Sequence, residues 1–216
     1  MKVLVAVCIY DRFENLKRWI HAWKMSDTGH AELVIVHNMD ELKSNDFETY
    51  CRRHRVKYVK RKNIGLETGV IQDLFLDRLK VGKWDALLFC TDDTIPMSRG
   101  FILRIIPQMM RPDLGVACMH ISGVWTPHIR TTGFCVKREV AMAITWVHNP
   151  IITKEQCYFF EHQGFEDTFM SQVLKMDKRV IQLSSIKESV LWDTDHNADH
   201  NRMDEWNREF PGYNQV

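Results

Sequence analysis

Ala86-Leu87-Leu88-Phe89-Cys90-Thr91-Asp92-Asp93-Thr94-Ile95-Pro96 decides how this chain is read. The apolar run from Trp84 to Cys90 is that of a strand buried on both faces. It stops at two adjacent carboxylates. Acids at the C-terminal end of a buried strand stand where open α/β sheets bind ligands. Two acids at such a tip repel each other unless positive charge sits between them. A divalent cation with oxygen ligands, carrying a substrate's phosphates, answers that need. The plainer alternative is a strand-end turn, since Asp-Asp-Thr is good turn chemistry.

Upstream, strand and helix signals alternate. Val3 to Ile9 is a continuous apolar run and reads as a buried parallel strand. Asp11 is expected to cap the next helix, with Glu14 as its capping-box partner, and Phe13, Leu16, Ile20 and Trp23 give that helix one apolar face. Glu32 to Val36 is a second strand, residues 41–54 a polar helix, Val56 to Val59 a short third strand, and Leu66 to Leu79 a further helix. Strands spaced by helices imply βαβ units. Downstream, helices are expected near residues 98–109, 138–147 and 165–176, strands at 115–119, 132–136 and 180–183, and a loop over 122–132. The polar stretch from Asp193 onward reads as loop or tail.

The chain has 216 residues, 45% apolar and 26% charged, with formal net charge +1. That is ordinary globular composition, able to bury a real core. The charge gives no general pull toward nucleic acid or acidic membranes. The basic run from Arg52 through Lys62 lacks interleaved aromatic platforms and reads as a solvated face. None of the six cysteines forms a Cys-x-x-Cys pair. They read as reduced, mostly buried thiols of a cytoplasmic protein. No run reaches membrane-spanning length, and the N-terminal apolar run lacks a cleavage site. One compact domain is expected, with residues 193–216 as a polar tail.

The order of motifs resembles the GT-A glycosyltransferases, in particular their family-2-like inverting group. Val3 to Arg12 is similar to that family's opening strand and loop. Val34-Ile35-Val36-His37-Asn38-Met39-Asp40 is similar to its second strand and nucleotide-contacting acid. Leu88 to Pro96 resembles its Asp-x-Asp region, and Phe165-Glu166-Asp167 its Glu-Asp motif at a helix start. Asn63-Ile64-Gly65 with Gly69 resembles its Asn-x-Gly segment. The match runs over roughly residues 3 to 185. It implies an α/β fold with a mostly parallel central sheet flanked by helices, with residues 1–97 as a nucleotide-binding half and 98–192 as an acceptor half. It also implies a hexosyltransferase-type enzyme that takes a UDP- or GDP-sugar as donor, with Mn2+ or Mg2+ as cofactor. The acceptor would be a carbohydrate, glycolipid or protein. The small acceptor half leaves acceptor recognition minimal or shared with a partner protein.

The same resemblance assigns roles. Asp93 aligns with the last acid of Asp-x-Asp and is the expected metal ligand, joined by His196 from the late polar segment, with His200 as the other imidazole there. The first acid of the pattern falls on Thr91, a departure that leaves Asp92 to take over part of its role. Asp40, with Ile9, Tyr10 and Arg12, is expected to hold the nucleotide, and Asn63 to meet base or phosphate. Asp167 is the candidate general base for the acceptor hydroxyl, and Glu166 the acceptor contact. Acids in a first helical turn also stabilise the helix by themselves. Trp125, on the long loop, is a candidate for stacking on a sugar. Two competing readings remain: a nucleotide-sugar-binding protein with a decayed active site, and a nucleotidyltransferase. The second wants a glycine-rich loop that Tyr10-Asp11-Arg12-Phe13 does not supply.

Overall fold

The computed structural model of the chain describes residues 1–41, 46–119, 121–122, 128–144, 169–183, 191–194 and 202–213. Strand β1 (Val3–Ile9) is buried along its whole length. It lies between two parallel neighbours, β2 (Glu32–Met39) and β4 (Ala86–Thr91). Strand β3 (Lys57–Lys62) extends the parallel set beyond β2. On the other side of β4 runs β9 (Gly133–Lys137), antiparallel, then β6 (Leu114–Cys118) and β10 (Arg179–Gln182). The resulting seven-stranded sheet has the order β10-β6-β9-β4-β1-β2-β3. This is the mostly parallel sheet with flanking helices that the sequence led us to expect.

Period-two alternation sends the side chains of each central strand into two different cores. Val3, Val5, Val7 and Ile9 of β1, with Ala86, Leu88 and Cys90 of β4, meet helices α1 (Phe13–Met25) and α4 (Phe101–Met109). Leu4, Ala6 and Cys8, with Leu87 and Phe89, meet α3 (Leu66–Phe75), α5 (Arg138–Ala143) and α6 (Met170–Lys175). Helix α2 (Asp46–Arg53) adds Cys51 to the first core. The continuous apolar runs of β1 and β4 therefore reflect burial on both faces. Five described cysteines are free and buried, in keeping with their reading as thiols. No described helix is long and apolar enough to cross a membrane.

Several expectations are corrected. Helix α1 has no side-chain cap: Arg12 takes the N-cap position, and Glu14 pairs with Lys17 and the Tyr213 hydroxyl instead of closing a capping box. Helix α3 ends at Phe75 and α5 at Ala143, both shorter than the apolar pattern suggested. Past the turn at Asp92-Asp93 the chain forms a further strand that the sequence did not show. Strand β5 (Thr94–Pro96) pairs antiparallel with β11 (Leu191–Asp193), and the Thr194 N–H donates to the Asp93 carbonyl at 2.9 Å. The loop expected over 122–132 contains a two-stranded ribbon, β7 (Ile121–Ser122) with β8 (His128–Ile129).

The stretch taken for a polar tail also holds helix α7 (Met203–Glu209). Trp206 and Phe210 are fully buried, with ring centroids 5.3 Å apart. Glu209 accepts from the Arg99 backbone N–H at 2.7 Å, and its carbonyl accepts from Arg99 Nε at 2.8 Å. Truncating a buried tryptophan loses its transfer energy and leaves a cavity. Trp206→Ala is expected to cost about 3–5 kcal/mol in urea unfolding. A loss under about 1 kcal/mol, the size of a surface substitution, would show that α7 is not part of the core.

Candidate functional site

Seven residues expected from sequence to form the site meet at the carboxyl rim of the parallel strands: Ile9, Tyr10, Arg12, Asp40, Asn63, Asp92 and Asp93. They line or border a cleft of about 430 Å³ that also draws on Asn38, Glu67 and Thr91. The antiparallel direction of β9 brings a further set there. Gly133 pairs with Cys90, so Arg130, Thr131 and Thr132 lie at the same rim and face into the cleft. Asp167, Glu166, His196, His200 and Trp125 lie outside the described residues.

The acidic tip is organised by donors from three directions. The Tyr10 backbone N–H reaches Asp92 Oδ2 at 3.5 Å. The Thr91 hydroxyl donates to Asp93 Oδ1. Arg12 Nη1 lies 3.3 Å from Asp93 Oδ2 and 3.8 Å from Asp92 Oδ1. Thr91 thus supplies no charge at the first position of the motif and instead orients the acid at the third. Burial, and then the adjacent Asp93 charge, push the Asp92 carboxyl up to about 7, against the opposing pull of Arg12 and the Tyr10 amide.

The other end of the cleft is a chain of hydrogen bonds. The Tyr10 hydroxyl donates to Asp40 Oδ2 at 2.6 Å, and Asn63 Nδ2 to Asp40 Oδ1 at 3.1 Å. Asn38 Nδ2 donates to Asn63 Oδ1 at 2.8 Å, and Arg61 Nη1 to Asn38 Oδ1 at 2.7 Å. Arg61 also donates to Asp73 Oδ2 at 2.7 Å and to the Ile64 carbonyl at 2.8 Å, with its side chain only 10% exposed. His37 lies beneath this network. Its Nε2 donates to the Tyr10 carbonyl at 2.6 Å, so its Nδ1 accepts from the Tyr58 hydroxyl at 2.5 Å. Burial lowers its pKa, which keeps this neutral tautomer in place.

Arg61, Asn38 and the Arg130–Thr132 segment were not singled out from sequence. No local sequence signal points at Arg61; its place shows only in the fold. Gly69 has no room for a side chain: a Cβ would stand 2.1 Å from the Ile64 carbonyl oxygen and 2.6 Å from Arg61 Nη2. The glycine lets α3 settle onto the turn that Arg61 holds. The rest of the basic run is at the surface, where Arg52 and Lys60 pair with Glu48 at 3.1 and 2.6 Å.

The donor set agrees in kind with a hard divalent cation, since adjacent carboxylates on a cleft wall are oxygen ligands of the type Mn2+ and Mg2+ take. Asp92 and Asp93 would hold it. Among the described residues no group of three or more His, Cys, Asp or Glu converges on one point. Phosphate oxygens and water commonly complete such a shell.

The strand order and the rim cleft are those of a GT-A fold. No protein-family model matches the chain, and no curated protein matches it by sequence. Among solved structures it is similar to the mannosyltransferase PcManGT from Pyrobaculum calidifontis in complex with GDP-Man and Mn2+. That likeness has TM-score 0.55 and 12% identity, over 83% of this chain and 54% of that one. Glucosyl-3-phosphoglycerate synthase from Mycobacterium tuberculosis, in complex with phosphoglyceric acid, gives TM-score 0.54 and 11% identity over 84% and 69%. The glycosyltransferase GlyE of Streptococcus pneumoniae TIGR4 gives 0.55 and 10% over 99% and 61%. The chain thus spans a little over half to about two thirds of these proteins. At such identities the likeness is one of fold.

The raised Asp92 carboxyl has a consequence for stability. Unfolded, it releases its proton near its ordinary value of 3.8; folded, it holds it to about 7. Between those values the folded state binds a proton that the unfolded state lacks, so stability falls as pH rises through the window. The loss is at most about 4 kcal/mol and is complete above the folded value. Asp92→Asn is expected to melt at the same temperature as the parent near pH 4 and several degrees higher at pH 8. Parallel melting curves across that range would disprove the burial effect.

Proposed function

We propose that this chain is a metal-dependent glycosyltransferase. It would move a sugar from a UDP- or GDP-sugar to an acceptor hydroxyl by single displacement with inversion. The observation that carries this reading is the convergence of Tyr10, Arg12, Asp40, Asn63, Asp92 and Asp93 on one rim cleft of a GT-A fold. The mannosyltransferase neighbour, solved with GDP-Man and Mn2+, supports the class of donor and cofactor.

The residues divide the work by position. Asp40 is held by Tyr10 and Asn63, and its carboxylate would accept from a base N–H or a ribose hydroxyl. Tyr10, partly exposed at the mouth, walls the nucleotide end. Asp93, oriented by Thr91, and Asp92 bind the divalent cation, which as a Lewis acid would take up the charge developing on the leaving diphosphate. His196 is proposed as a further ligand. The Thr194–Asp93 backbone bond ties the start of its segment to the acidic tip. Asp167 is the proposed base that takes the acceptor proton, and Glu166 the acceptor contact. Both precede Phe169, whose ring packs 5.6 Å from Phe134 of β9, near the rim. The free, buried cysteines support a cytoplasmic setting.

Thr91 in place of an acid favours the second reading, a protein that binds nucleotide sugars without turning them over. Release of free nucleoside diphosphate from UDP- and GDP-sugars with Mn2+ separates the two. Steady release supports the enzyme, and tight binding without release supports the binding protein.

Asp93→Ala is expected to abolish metal-dependent donor binding, read by calorimetry with and without Mn2+; unchanged affinity would reject the assignment. Asp167→Asn is expected to keep donor binding and lower transfer by about 10²–10⁴-fold, the usual worth of a general base. Turnover at the parent rate would remove Asp167 from the mechanism.

A further inference from the structure

Each acid of the tip has one oxygen engaged by the chain's own donors and one turned toward Arg12. Asp92 Oδ2 faces the Tyr10 N–H, and Asp93 Oδ1 takes the Thr91 hydroxyl. Asp92 Oδ1 and Asp93 Oδ2 both face the same guanidinium nitrogen, at 3.8 and 3.3 Å. A cation shared by the two carboxylates would compete with that nitrogen for the same two oxygens. The acids cannot move away from it, since their side chains are 12% and 15% exposed at the end of a buried strand. Arg12 can: its side chain is 42% exposed, on the open turn between β1 and α1.

We propose that Arg12 is the built-in counter-ion of the Asp92–Asp93 pair, and that it makes divalent-cation binding conditional on a nucleoside diphosphate. This rests on the glycosyltransferase reading and goes beyond it. A divalent ion arriving alone must displace the guanidinium from both oxygens, and the freed charge then lies against a dication of the same sign. An ion arriving with a diphosphate brings the guanidinium a new anionic partner, which a planar fork of N–H donors suits well. The displaced arginine turns from carboxylate to phosphate, and no charge is left unpaired. By linkage, whatever the diphosphate adds to cation affinity, the cation adds to diphosphate affinity.

The test follows Mn2+ binding by electron paramagnetic resonance at pH 8, alone and with saturating UDP or GDP, in the parent, Arg12→Gln and Arg12→Lys. The parent is expected to bind Mn2+ weakly alone and at least tenfold more tightly with one of the diphosphates. Arg12→Gln should bind Mn2+ alone several-fold more tightly than the parent, and the enhancement by diphosphate should shrink by a similar factor. Arg12→Lys, which keeps the charge, should stay near the parent. Thermal melts confirm that both variants are folded. If Arg12→Gln binds Mn2+ alone no more tightly than the parent, while the parent binds both ligands, the counter-ion role is overturned and the glycosyltransferase reading stands. If the parent binds neither Mn2+ nor either diphosphate, both are overturned.

Discussion

Two carboxylates side by side at the end of a fully buried strand are the constraint around which this protein is arranged. Strand β4 has cores on both faces, so the chain cannot relax there without opening the sheet. Asp92, itself buried, must be compensated where it stands. Compensation comes from Arg12 and the Tyr10 amide on the β1 side, while Thr91 engages the neighbouring Asp93. It is incomplete, because Asp92 still holds its proton toward neutrality. A site that leaves negative charge undersatisfied is poised to take a cation.

The opposite end of the cleft obeys the reverse logic. There a largely buried guanidinium, Arg61, donates to Asp73, Asn38 and two backbone carbonyls. A buried charge satisfied in this way is rigid. It fixes Asn38, which fixes Asn63, which with Tyr10 fixes Asp40. Tyr10 links the two ends, since its amide meets Asp92 and its hydroxyl meets Asp40. One end of the cleft is therefore preorganised and the other electrostatically unsatisfied. That combination suits a ligand with a neutral, shape-bearing head and an anionic tail, such as a nucleotide carrying phosphates.

What could be read from sequence was what depends on local pattern. Continuous apolar runs marked β1 and β4, and strand ends marked Asp40, Asn63, Asp92 and Asp93. What escaped depends on contacts far apart in the chain. Strands β5 and β11 have three residues each and gain their identity only by pairing across nearly a hundred positions. Helix α7 is mostly polar, and Met203, Trp206 and Phe210 at i, i+3 and i+7 were its only visible apolar stripe. Arg61 lies in Lys57-Tyr58-Val59-Lys60-Arg61-Lys62, where basic side chains read as solvated, and only its fit under Gly69 shows that it points inward. The capping box at Asp11 was a local signal overridden by its setting. The turn after β1 is shaped by the site, so Arg12 takes the helix entry while facing the acids.

Topology also bears on how the rim is built. Strand β9 runs against its neighbours, so the chain leaves it at the far end of the sheet, where Lys137 pairs with Ala86. Strand β10 begins at that same far end, with Arg179 beside Leu114, and runs parallel to β6 back to the rim. Helix α6 ends just before β10 begins, so it descends from the rim, and its first turn is pinned there by Phe169 against Phe134 and Phe75. The chain is thus at the far end of the sheet where β9 ends and at the rim again at Phe169. One wall of the cleft comes from the ends of the parallel strands β1, β2, β3 and β4, which arrive in order along the sequence. The reversed strand β9 adds Arg130, Thr131 and Thr132 from its start, so residues as far apart in the chain as Ile9 and Thr132 share one rim.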